Sequence, residues 1–117
     1  MAFTQLETDI LKWYADKAED KNLIKQLNTV KPKEREISEV GSFVDLKLPP
    51  STKGEKCQVK NPINGPKIKS PHLKDGGSSL LFISNGLISV LEIFSDGDAT
   101  FPKELIDYEL LDIKENV

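Results

Sequence analysis

Apolar residues recur at helical spacing near the N-terminus of this chain and at a period of two further on. Leu6, Ile10, Trp13 and Tyr14 form one stripe, widened by Leu11, while Glu7, Asp9, Lys12 and Asp16 fill the opposite face. Thr4 followed by Glu7 is a capping-box pattern, in which a hydroxyl and a carboxylate satisfy two free amides at a helix start. A helix is therefore expected over 4–18. Leu23, Ile24 and Leu27 predict a second, shorter helix over 20–29, stopped by Pro32.

From residue 34 the pattern alternates. Glu36, Ser38 and Val40 are interleaved with Ile37 and Glu39, and Phe43, Val44, Asp45, Leu46, Lys47 and Leu48 read as a second strand. These strands predict a hairpin turning near 40–42 and ending at Pro49 and Pro50. The stretch 49–78 holds five of the seven prolines, so short strands at 56–60 and 67–70 are limited to edge positions.

The strongest local signal is Asn85-Gly86 between two apolar runs, 79–84 and 87–94. Both central residues of a type I′ turn need positive φ, which Asn and Gly tolerate. An unbroken ladder from that turn sets Ile83 opposite Ile88, Phe82 opposite Ser89, Leu81 opposite Val90 and Leu80 opposite Leu91. Both faces of this hairpin are apolar, which places it centrally in a sheet. A turn at 95–98 follows, then a short strand within 108–113. The expected fold is α+β, with two N-terminal helices packed on an antiparallel sheet that has the Asn-Gly hairpin at its centre. One domain spans 1–117, helical over 4–29 and β-rich over 34–113. The helices can cover only one face of the sheet. At about 25 cal/mol per Å2 of apolar area, an uncovered second face forfeits several kcal/mol and suggests a homodimer or an obligate partner.

Composition narrows the class. The chain has 117 residues and 13.1 kDa, enough for one core, and is 38% apolar and 30% charged, as in ordinary globular domains. A net charge of -3 and a pI near 5.2 argue against nucleic acid as a partner. One cysteine, Cys57, allows no internal disulfide and no thiolate metal cluster. No secretory leader pattern and no membrane-length apolar run is visible, so a cytoplasmic location and no membrane role are expected.

Candidate chemistry is sparse. His72 is the single histidine, and Asp75, Ser78 and Ser79 lie near it in sequence, but no nucleophile-elbow motif surrounds either serine. Gly76-Gly77 precedes a strand instead of a helix that could offer amides to a phosphate, so it reads as a turn or bulge. Glu92, Asp96 and Asp98 lack the flanking helices and distal glutamate of a calcium loop. Lys56 and Lys60 beside Cys57 could lower its pKa, but without a nearby histidine the thiol reads as inert. No catalytic residue, cofactor or metal is expected, and the chain is not expected to be an enzyme.

Charge is unevenly spread. Residues 31–74 carry ten basic side chains against five acids, whereas 92–117 carry eight acids against Lys103 and Lys114. An acidic surface steers basic partners and raises their association rate, unless the two regions lie together and neutralise each other. Phe94 and Phe101 bracket the acidic turn and are the best aromatic anchors.

Several stretches in order carry a resemblance: Ile10-Leu11-Lys12-Trp13-Tyr14-Ala15, Arg35-Glu36-Ile37, Val40 through Leu46, Gly65-Pro66, Gly76-Gly77-Ser78-Ser79-Leu80-Leu81-Phe82, and Gly86 through Phe94 with Gly97-Asp98 and Phe101-Pro102. Together they resemble a family of small, mostly uncharacterised bacterial proteins. These in turn look like immunity proteins of contact-dependent growth inhibition systems, toxin–immunity pairs resembling toxin–antitoxin systems. The resemblance implies an α+β, cytoplasmic inhibitor that binds a cognate toxin domain, and it carries over no site residues. Charge and resemblance together suggest that the inhibitor masks the active site of a basic toxin, such as a nuclease, through Phe94, Asp96, Asp98, Phe101, Glu104 and Asp107. Two alternatives stand beside it: a ligand-binding domain or enzyme using the loop around His72, and a homo-oligomeric structural protein.

Overall fold

A computed structural model describes residues 1–97 and 99–112. Helices α1 (Gln5–Lys17) and α2 (Lys21–Thr29) precede strands β1 (Lys31–Ser38), β2 (Gly41–Lys47), β3 (Ile63–Asn64), β4 (Lys67–Ser70), β5 (Leu73–Ser84), β6 (Leu87–Ser95) and β7 (Glu109–Leu111). One antiparallel sheet runs in the order β1-β2-β6-β5-β4-β7, with β3 also paired to β5. Extents of 41 × 39 × 20 Å are those of two layers, one of helices and one of sheet.

Each helix starts where its sequence provides a cap. Thr4 Oγ1 accepts the Glu7 amide (3.1 Å) and the Glu7 carboxylate accepts the Thr4 amide (2.9 Å), completing the capping box. Asp20 caps α2 through the Asn22 and Leu23 amides, and its other oxygen takes the Gln58 amide from the loop after β2. Ile10, Tyr14, Leu23 and Leu27 then pack on Val44, Leu81, Leu91 and Ile93. Each such burial is worth about 1.5–3 kcal/mol against exposure, which fixes the helices to this one face.

The Asn-Gly turn forms as its chemistry requires, with φ of 53° at Asn85 and 78° at Gly86. The pairing beyond it differs from the unbroken ladder. Ile83 faces Ile88, but a bulge beside Phe82 then shifts the register by one, setting Phe82 opposite Val90, Leu81 opposite Leu91 and Leu80 opposite Glu92. Ser89 is the extra residue, and its hydroxyl donates to Phe82 O at 3.1 Å. The reason lies in the core. Ile88 and Leu91 are three apart, and only a bulge points both toward the helices, where both are buried. At the hairpin tip the neighbouring strands have ended, and side chains take over the outward amides. Gln26 Oε1 accepts from Ile88 (2.9 Å) and Asn61 Oδ1 accepts from Ile83 (2.8 Å).

Two further boundaries differ. Strand β1 starts at Lys31 and takes Pro32 into an edge, with a register shift between Pro32 and Glu34. The stretch 56–60 is loop, because its backbone groups are used elsewhere. The Cys57 amide donates to Gly86 O, the Gln58 amide to Asp20, and Lys56 O accepts from Asn22. Strand β5 begins early, at Leu73, and runs through Gly76, whose φ of 77° coincides with the irregular pairing between Ile68 and Ser70 of β4. Strand β7 falls inside the expected 108–113 stretch; Ile113 lies outside the described residues. No helix among the described residues is long and apolar enough to cross a membrane.

Candidate docking face

Alternation assigns each strand's side chains to one of two faces. Val44, Leu81, Leu91 and Ile93 meet the helices. Their neighbours turn away: Phe43 and Asp45 on β2, Val90, Glu92 and Phe94 on β6, and Ser78, Leu80 and Phe82 on β5. Register aligns them in three cross-strand rows, Phe43–Glu92–Leu80, Asp45–Val90–Phe82 and Gly41–Phe94–Ser78. Strand β1 adds Glu36 beside Phe43 and Glu34 beside Asp45, with Lys31 and Lys47 paired at the far corner. Both helices lie on the other side, as do the loops at 48–57 and 99–108 that bury Leu48, Thr52, Cys57 and Leu105. Phe43 is left 43% exposed, and Leu80, Phe82, Val90 and Phe94 stay partly exposed.

Glu92 occupies the middle of this apolar row. Among the described residues it has no ion-pair or hydrogen-bond partner, and partial desolvation between its neighbours raises its carboxyl pKa above the ordinary glutamate value. The other acids differ. Asp96, at the end of β6, is already engaged: Ser78 Oγ donates to it at 2.6 Å and Lys67 Nζ lies 3.3 Å away. This contact joins the basic and acidic stretches of the chain, while Lys17–Asp112 at 2.8 Å ties the acidic stretch to the end of α1.

The six residues singled out from sequence do not form one patch. Phe94 and Asp96 belong to the open face and its border. Phe101 and Glu104 line a cleft of about 300 Å3 on the helix side, with Leu6, Ile37, Leu105 and Ile106. The wall of that cleft holds the Glu7–Arg35 ion pair, which raises the Arg35 pKa through its hydrogen bonds to Glu7. Asp107 is exposed, with its carbonyl accepting from Ser70 Oγ. Asp98 lies outside the described residues. Phe43, Leu80, Phe82 and Val90 were absent from that set. Their signal was present in the two-faced hairpin and in the Phe43–Val44 alternation, but the bulge reassigned which residues share the open face.

The residues considered for chemistry are dispersed. His72 is exposed in the β4–β5 turn, Ser78 bonds Asp96, and buried Ser79 donates to Pro66 O and interacts with the Tyr14 hydroxyl. No group of three His, Cys, Asp or Glu side chains placed to hold a metal occurs among the described residues. Cys57 is buried, and desolvation with the nearby Asp20 charge raises its pKa, opposite to the lowering that adjacent lysines suggested. Comparison with protein-family models, curated proteins and solved structures finds no match for this chain.

Proposed function

We propose that this chain is an immunity-type inhibitor that works by binding and not by catalysis, docking a basic cognate toxin domain in the cytoplasm and masking its active site. The carrying observation is a sheet face that no described residue covers, where Phe43, Leu80, Phe82, Val90 and Phe94 surround Glu92 and are bordered by Glu34, Glu36 and Asp45. Four strands about 4.8 Å apart and about 25–30 Å long give roughly 500–600 Å2. That is of the order of the ~800 Å2 each partner contributes to a standard interface. Apolar centre and charged rim is the pattern of such interfaces. The resemblance drawn from sequence supports the same reading.

Co-expression with the toxin domain encoded beside its gene tests this. Wild-type protein restores growth and co-elutes with the toxin domain as an equimolar complex. Phe82→Asp, which puts a charge on the open face without touching the core, removes protection and keeps its circular dichroism. A neighbouring product that is not toxic, or that is toxic and neither bound nor neutralised, overturns the proposal.

A further inference from the structure

Resting on that reading, we infer that Glu92 is the specificity-determining residue of the docking face, and that it receives an arginine or lysine side chain from an otherwise apolar patch of the partner. The inference is drawn from position. Glu92 stands directly between Phe43 and Leu80 in one cross-strand row, with Val90 and Phe94 two residues away on the same strand. A carboxylate covered there by an apolar surface loses its water and gains nothing, a cost that a complementary charge removes. No such charge comes from within the described residues. The nearest charged groups on the open face are Asp45 on β2 and Glu36 and Glu34 on β1, all acidic, while Lys67 is taken up by Asp96. Lys31 and Lys47 sit at the far corner, at the other end of β1 and β2 from Gly41.

The same arrangement argues against a second copy of this chain as the occupant. An isologous contact brings one patch onto itself. Centred on the row of Glu92, such a contact sets Glu92 and its acidic neighbours against their own copies or presses them without a cation onto Phe43 and Leu80, because Lys31 and Lys47 lie at the far corner. A heterologous basic partner escapes both costs. Its cation would be surrounded by aromatic and aliphatic side chains that exclude water, the setting in which a charge pair discriminates most sharply.

The test is titration calorimetry of wild type, Glu92→Gln, Glu92→Lys and Phe82→Asp against a catalytically inactive form of the neighbouring toxin domain. Glu92→Gln is expected to weaken binding by roughly 30-fold or more, as truncation of a desolvated charge pair does, and Glu92→Lys to abolish it. A single Arg→Glu or Lys→Glu change in the toxin domain, selected for growth rescue by the Glu92→Lys protein, is expected to restore binding. Melting curves establish that each variant is folded. If Phe82→Asp abolishes binding while Glu92→Gln binds within about twofold of wild type, the role of Glu92 is overturned and the docking face stands. If Phe82→Asp also binds normally, the docking face itself fails. Glu92→Gln weakened with no compensating charge swap anywhere in the toxin domain overturns the cationic partner. A wild-type protein that self-associates through this face, and loses that association on Phe82→Asp, overturns the heterologous assignment.

Discussion

Replacing Arg35 by methionine removes the cation that faces the buried carboxylate of Glu7. Glu7 is 2% exposed, and its carboxylate accepts from Arg35 Nε at 2.8 Å and from Nη2 at 2.5 Å. Arg35 also reaches back to Ala2 O at 3.1 Å, so one guanidinium ties β1 to α1 and to the chain start. Methionine matches much of the apolar stem, which isolates the charge from the packing. What remains is a buried carboxylate without its cation, holding only the Thr4 amide. Breaking a buried pair by removing one partner costs about 3–5 kcal/mol, against ~5–15 kcal/mol of total stability. At roughly 4 °C per kcal/mol for a domain of this size, Tm falls by about 12–20 °C in scanning calorimetry. Glu7→Gln in the Arg35→Met background is expected to recover at least half of the loss. The amide carbonyl can still serve the Thr4 cap, and no charge is left stranded. A cost below about 1 kcal/mol for Arg35→Met, the size of an exposed ion pair, would refute the claim that this pair is a buried tie between sheet and helix.

Three other perturbations test separate parts of the fold. Gln26 is fully buried and bridges Glu55 O (2.8 Å), Gly86 O (3.0 Å) and the Ile88 amide (2.9 Å). Gln26→Leu therefore orphans Glu55 O and the Ile88 amide, while Gly86 O keeps the Cys57 amide, and should cost about 3 kcal/mol in urea unfolding, with amide exchange fastest at Ile88. Asp20 has its pKa lowered by the Gln58, Leu23 and Asn22 amides. A depressed carboxylate stabilises above its unfolded value near 3.9 and loses that contribution as pH falls through the folded pKa. Asp20→Asn should thus flatten the acid limb of a stability–pH curve. Glu92 has the opposite sign, since its pKa is raised by desolvation. Its contribution is most favourable below the unfolded value near 4.3 and fades as pH rises through the folded pKa. Glu92→Gln should therefore raise Tm at pH 7 and lose that advantage near pH 3.

Much of the scaffold was legible because its signals are local. Thr4, Glu7 and Asp20 cap the helices through backbone amides two or three residues away, and Asn85-Gly86 makes its turn through φ alone. What stayed hidden depends on residues distant in sequence. The bulge at Ser89 follows from packing both Ile88 and Leu91 onto helices sixty or more residues earlier, with Gln26 holding the freed Ile88 amide. The loop at 56–60 has strand-like alternation, but Asp20, Asn22 and Gly86 claim its backbone. The candidate surface suffered most. Linear proximity of Phe94, Asp96, Phe101 and Glu104 hides the fact that the first two belong to the open face and its border while the last two line the helix-side cleft.

The most direct test of the docking face is methyl and aromatic NMR of labelled protein with the inactive toxin domain added. Binding on the open sheet should move Leu80 and Val90 methyls and Phe43, Phe82 and Phe94 rings, and leave Leu23 and Leu27 methyls on α2 in place. Shifts centred on the helices, or on Phe101, Leu105 and Ile106 around the helix-side cleft with the open face unchanged, would contradict it.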